Sequence, residues 1–331
     1  MKKKLFILGA GIVLALSACG NQNNATTSNS TTVSNTTTVV DDYNLKISTP
    51  NGAPLIAISG AVEKSDVTEG NLKLIADTTT LPAIFQAGTE DIIVAPVNVG
   101  AKLYNAGGSK YKLASVITWG NTYFTSGKEN FKLDDLKNQE VTLFGKNSIN
   151  AGIAKYVLDK KGITFTEKYP ETDAVSSIKT ILENDPNEMV MIAEPVLTVT
   201  TASVKTNKNA TLTSYSISNL YKEITNHDYP QAAIFVNPDS YDLHKNKFDE
   251  FFNAVETTCS EALTKTSEVA TKANSLGVPQ GAAVLTKAIP GCGIKYVKAS
   301  DAKADIAFAA TEDVLTSFFG YKAPEDSFYL L

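Results

Sequence analysis

Arginine is absent: all 30 basic residues are lysine. The rigid guanidinium fork that grips carboxylate, phosphate or sulfonate groups through paired hydrogen bonds is therefore not available to this chain. Histidine occurs twice, at His227 and His244, and neither sits in a metal-ligand spacing such as H-E-x-x-H, so zinc chemistry is not expected. No serine lies in a G-x-S-x-G elbow, which removes the usual hydrolase signature. The turn Gly145-Lys146-Asn147-Ser148 ends like a phosphate-binding loop, but Glu140 stands where the first glycine belongs and Asn147 where the hydroxyl belongs. No cofactor is implied. A net charge of −5, with lysines scattered and no basic block, also excludes nucleic acid as a partner.

Apolar runs long enough to span a bilayer, about 20 residues, are missing as well. The apolar stretch Leu5 to Leu16 follows Lys2, Lys3 and Lys4 and precedes Leu16-Ser17-Ala18-Cys19. That is the layout of a secretory signal peptide, residues 1–18. The tetrad ending at Cys19 resembles the bacterial lipobox, which implies a lipidated Cys19 as mature N-terminus and a body held at the extracellular face of the membrane by its acyl chains. Residues 19–42 are almost entirely Asn, Thr, Ser and Gln up to Val39-Val40. Such a segment buries too little to offset its ordering entropy and reads as a flexible tether, or as a glycosylated stalk.

The remaining body, about 290 residues, suffices for a large core divided into two lobes. Cys259 and Cys292 are the cysteines left; export permits a disulfide between them, and two separate buried thiols are the other reading. Strand and helix signals alternate from Leu45 onward, which predicts an α/β body built on largely parallel sheets. Strands are expected at 43–49, 72–76, 91–95, 140–144, 190–193 and 232–236. Helices are expected to start at Pro54, Leu81, Pro96, Ile149 and Pro195 and to span 247–265 and 301–319, with a loop over 277–293. In the helix from Ile149, the residues Ile149, Ile153, Tyr156 and Val157 share one face, and Asn147 or Ser148 supplies its cap.

Together Pro50-Asn51-Gly52-Ala53-Pro54, the run Leu81 to Gly107, Ala193-Glu194-Pro195 and Tyr229-Pro230-Gln231 resemble the type II periplasmic-binding-protein family. The likeness is narrower to the binding proteins of nitrate, sulfonate, taurine and thiamine-pyrimidine importers. It implies two α/β lobes, with residues 43–121 and 237–331 in the first and 122–236 in the second. The chain is expected to cross outward near Trp119 to Phe124 and to return near Gln231 to Val236. The resemblance further implies a monomer that is not an enzyme, that binds a small molecule between its lobes and that delivers it to the permease and ATPase of an ABC importer. Two other readings stand beside it: a pyrimidine-precursor enzyme on the same fold, whose cysteine-rich and histidine motifs are missing here, and a surface receptor without transport.

Ligands of open α/β sheets sit beyond the strand carboxyl ends, where helix N-termini converge. The turns at Asn51, Gly52, Ala53 and Pro54, at Val97 and Asn98, at Gly145, Lys146, Asn147 and Ser148, and at Glu194 are such places, and Gln231 lies on the return crossing. Each turn taken alone is also ordinary capping chemistry. Trp119, the sole tryptophan, clusters with Tyr123 and Phe124 either as core or as a stacking platform for a flat or cationic ligand. Asp77 and Glu194 are placed to hold amino groups, or Glu194 merely complements its helix dipole. Lys146 is the candidate for an anionic group. Without arginine, a heteroaromatic or mixed-polarity solute ranks above a simple sulfonate or carboxylate.

Overall fold

The computed structural model describes residues 42–331. The predicted signal peptide, the expected lipidation site Cys19 and all but the end of the predicted tether lie outside the described residues. Among the described residues eleven strands form two sheets. They are β1 (Ile47–Pro50), β2 (Leu72–Ile75), β3 (Ile92–Pro96), β4 (Lys112–Thr118), β5 (Thr122–Ser126), β6 (Glu140–Thr142), β7 (Thr166–Lys168), β8 (Val190–Ala193), β9 (Thr213–Ser216), β10 (Ala232–Val236) and β11 (Ile294–Lys298). The first sheet runs β11-β4-β10-β3-β1-β2 and the second β7-β6-β8-β5-β9.

The central strands read as unbroken apolar runs because both their faces are covered. In β3, Ile93 and Ala95 enter one core cluster while Ile92 and Val94 enter another. In β10, Ala233 and Phe235 join the first, and Ile234 and Val236 the second. The antiparallel register, Ile93 opposite Phe235 and Ile92 opposite Val236, keeps the two sets on matching faces. Each fully buried Ile, Val or Phe among these contributes about 1.5–3 kcal/mol.

The sheets are mixed rather than largely parallel. β1 pairs in parallel with β2 and β3, and β6 with β7 and β8, but β10, β4, β11, β5 and β9 all join antiparallel. The reason is the crossing itself: β10 carries the chain back from the second sheet, so it enters the first from the opposite end. For the same reason β10 pairs with β3 and β4, and Ala232–Val236 belongs with the first sheet, not with a second lobe extending to 236. The chain passes outward at residues 119–121 and returns before Ala232.

One core cluster is shared between the sheets. It holds Phe235 of β10 and Phe124 of β5, together with Ile153 and Tyr156 of the helix Ile149–Lys160 and Ala302 and Ile306 of the helix Ala299–Thr311. There Tyr156 donates to Glu312 at 2.9 Å. On the opposite faces the clusters are separate, one under each sheet.

Cys259 and Cys292 are free and buried, which corrects the disulfide reading. Both thiols lie in the same cluster, but Cys259 is directed at the Ala57 carbonyl and Cys292 at the Ala288 carbonyl one turn back. Burial pushes the Cys259 thiol up to about 12 and raises that of Cys292 as well, so neither carries thiolate at neutral pH.

Candidate ligand site

β1 and β3 end at Pro50 and Pro96, and β10 starts beside β3, with Ala232 opposite Pro96. In the second sheet β8 ends at Ala193 opposite Thr122. The ends of β3 and β8 and the start of β10 meet at the crossing, and a ring of amide side chains fastens them together. Gln231 donates from Nε2 to Asn121 Oδ1 at 2.9 Å and to Asn150 Oδ1 at 3.2 Å. Its backbone carbonyl accepts from Val97 N–H and its N–H donates to the Thr118 carbonyl, both at 2.9 Å. Asn121 donates from Nδ2 to the Glu194 carbonyl at 2.7 Å while its own carbonyl accepts from Glu194 N–H at 2.9 Å. Tyr229 donates to Asn150 Oδ1 at 2.7 Å. Gln231 thereby joins Val97, Asn121 and Asn150, and Asn121 leads on to Glu194; the helices starting at Val97, Ile149 and Val196 all reach the same place.

Of the expected site residues, Val97, Gln231 and Glu194 are in this ring, and Asn98 follows Val97. Asn98 is buried; its Nδ2 donates to the Phe318 carbonyl at 3.4 Å, and its Oδ1 is buried with no hydrogen-bond partner among the described residues. Tyr123 sits beside Glu194 on the neighbouring strand and donates to the Gly291 carbonyl at 2.8 Å, a contact between the two halves. Burial, then the Glu194 charge, push its phenol up to about 12. The Asn51 turn precedes the helix Ala53–Ile58, with Pro54 in its first turn as expected. Asn51 itself is exposed, accepting from Gly52 N–H and donating to the Gly277 carbonyl. Gly52, at φ +88°, makes the turn that a residue with a Cβ would strain.

The Gly145 turn is different. Gly145 N–H and Lys146 N–H donate to the two carboxylate oxygens of Asp173, at 2.5 and 2.7 Å, so the chain's own anion takes those donors. Lys146 is exposed, with its ammonium 5.7 Å from the Tyr169 ring centre, and Asn147 is exposed beside it. Ser148 caps the following helix by accepting from Ala151 N–H. Glu194 also caps: Oε2 accepts from Thr198 N–H and Oε1 from Thr198 Oγ1. Its carboxyl is raised by burial, against the lowering from Thr198. Asp77 caps a short turn through Thr79 N–H and is exposed.

Trp119 is buried and donates from Nε1 to the Lys295 carbonyl. It lines a cavity with Tyr229 and β11 rather than the amide ring. Sequence reasoning missed Asn121, Asn150, Asp173 and Thr198. Asn121 lies inside the expected crossing and Asn150 two residues past the expected cap, so position was the available signal. Among the described residues no group of three His, Cys, Asp or Glu could hold a metal ion, and no helix is long and apolar enough to cross a membrane.

Two α/β lobes joined by antiparallel crossing segments, with the site at their strand ends, define the type II periplasmic-binding-protein fold. Solved structures share it across most of the chain. An ABC transporter protein from Parabacteroides distasonis superposes with a TM-score of 0.70 at 21% identity, covering 88% of this chain and 99% of that one. The periplasmic aliphatic sulphonate-binding protein of Escherichia coli gives 0.60 at 10% identity, covering 83% and 86%. The ligand-binding component of an ABC-type import system from Staphylococcus aureus, with zinc bound, gives 0.58 at 13% identity, covering 86% and 95%. No family model and no curated protein matches the sequence.

Proposed function

We propose that this protein is an extracytoplasmic solute-binding lipoprotein, anchored through Cys19, that delivers a small organic solute to the permease and ATPase of an ABC importer and carries out no chemistry. The observation that carries the reading is the amide ring: hydrogen-bonding side chains from both lobes converge where helix starts meet, and no nucleophile with its base accompanies them. Asn98 Oδ1 offers a buried acceptor to a ligand N–H or O–H; leaving such a group unpaired costs about 1–3 kcal/mol. Lobe one supplies the Asn51 to Pro54 turn, Val97, Asn98 and Gln231, and lobe two supplies Tyr123, Asn150 and Glu194, with Asn121 at the crossing. The 145–148 turn shapes the rim. A ligand that touches both sets holds the lobes together, and closure is driven only by contacts that are better in the closed form.

The test is small-molecule mass spectrometry of purified protein after denaturation, followed by return of the released compound to refolded parent and Gln231→Leu proteins. The parent is expected to melt higher with the compound, since ligand at 100 times its Kd adds about 2.7 kcal/mol. The variant is expected to bind at least tenfold more weakly. Equal binding by both proteins would remove the ring from the site.

A further inference from the structure

Behind the crossing lies a cavity of about 260 Å³. Strand order fixes its side. In the first sheet the turns after β1 and β3 lie on one side of β4 and β10, whereas the cavity takes Gly293, Ile294 and Lys295 from β11 and its approach, on the other side. In the second sheet the turns after β6 and β8 lie on one side of β5, whereas the cavity takes Ser218 and Lys222 from the helix that follows β9. Trp119 and Tyr229, from the outward and return crossings, complete it. The cavity is thus walled by both lobes and separated from the amide ring by the crossing itself.

Its polar wall is unbalanced. Lys222 Nζ lies 2.7 Å from Asp228 Oδ1 and Lys295 Nζ 3.7 Å from Asp228 Oδ2, so two ammonium groups share one carboxylate. Lys295 also stands 5.2 Å from the centre of the Trp119 ring. The first turn of the helix Ile217–Thr225 adds the positive end of its dipole. The lining also includes Ile289, Pro290 and Leu263, and Leu263 is 67% exposed. Among the lining residues two ammonium groups face one carboxylate, while Asp305, paired with His227, acts on Lys222 from beyond the lining; the two lysines, an indole and the apolar residues suit an anion with a flat apolar body.

We propose that this cavity is a second ligand site, for a small aromatic carboxylate, and that its occupancy favours the closed cleft. The carboxylate replaces part of Asp228 as partner to Lys222 and Lys295, and the apolar body packs on Pro290 and Ile289. The coupling follows from geometry. Rotation that closes the front of a hinge spreads its back, so a molecule held between β11 and the helix Ile217–Thr225 resists reopening. The solute in the cleft and the carboxylate behind it then strengthen each other by the same factor. The site stands without the solute-binding reading; only the coupling rests on it.

Trp119, the sole tryptophan, reports occupancy directly. The full chain is titrated with benzoate at constant ionic strength, with benzylamine as the oppositely charged control. A saturable fluorescence change is expected with benzoate and none with benzylamine. Affinity is expected to fall at least tenfold in the Lys222→Gln, Lys295→Gln double variant and to rise at least threefold in Asp228→Asn, which frees both lysines. Circular dichroism confirms that each variant is folded, and if the double variant is not, Asp228→Asn alone decides. Lack of saturation, an equal response to benzylamine, or benzoate affinity that ignores these side chains overturns the site. Small-angle scattering at saturating benzoate is expected to show a smaller radius of gyration; an unchanged value with benzoate bound overturns the coupling.

Discussion

Replacing Gly293 by alanine tests how tightly the first lobe is fitted to the crossing. Gly293 sits at φ +63°, and a Cβ there would stand 2.4 Å from the Gly120 carbonyl oxygen and 3.2 Å from the Trp119 carbonyl carbon. Both contacts are backbone, so no rotamer change relieves them. Its own carbonyl accepts from Trp119 N–H at 2.8 Å, which ties the loop before β11 to the outward crossing. Left-handed strain costs about 1–3 kcal/mol and overpacking about 1–3 kcal/mol more, giving about 2–6 kcal/mol for Gly293→Ala. At about 2–4 °C per kcal/mol for a domain of 150–250 residues, the melting temperature should fall by roughly 5–20 °C. Gly70 supplies the control: it has φ +81° and open space where its Cβ would be, so Gly70→Ala carries the strain alone, about 1–2 kcal/mol at such an exposed helix end. The assay is thermal unfolding of both variants by circular dichroism. If they melt within about 2 °C of each other, the packing of Gly293 on Gly120 is not as described and the reasoning fails.

Two further outcomes are expected. Burial raises the Glu194 carboxyl above its ordinary 4.5, so the folded state binds this proton more tightly than the unfolded state, and ionising the group costs stability as pH rises from 4.5 through the raised value. Glu194→Gln keeps an acceptor for Thr198 N–H; it should melt at or above the parent at pH 8, with the difference shrinking towards pH 4.5, and melting curves with the opposite trend would contradict the burial argument. Ellman's reagent should label Cys259 and Cys292 only after unfolding, and dithiothreitol should leave the melting temperature unchanged. A disulfide would instead lose about 2–5 kcal/mol on reduction.

The strands that were legible are those covered on both faces. β3 and β10 are read directly because Ile92 to Ala95 and Ala232 to Val236 are apolar at every position. What the run could not say is which sheet it joins: β10 follows a long stretch of second-lobe chain, and only pairing with β3 and β4 assigns it. The sequence predicts a loop over 277–293, where the structure has the helix Ala282–Ala288, and gives no strand signal for β11. β11 is half-exposed, with Lys295 and Lys298 alternating with Ile294, Tyr296 and Val297, and the helix is short and bounded by Gly281 and Pro290. The turn chemistry was partly visible, since Ser148 does cap its helix. Asp173 as the partner of Gly145 and Lys146 was not, because it lies 28 and 27 residues away from them. Asn121 and Asn150 look like ordinary polar residues until the segments that carry them are brought against Gln231.

Hinge closure around a solute is the central claim, and small-angle scattering on the protein freed of ligand by denaturation and refolding measures it most directly. Adding the compound released from the native protein should shrink the radius of gyration, and Gln231→Leu should need at least tenfold more compound to reach the same contraction. A radius of gyration that stays constant through saturation of the parent would contradict the account.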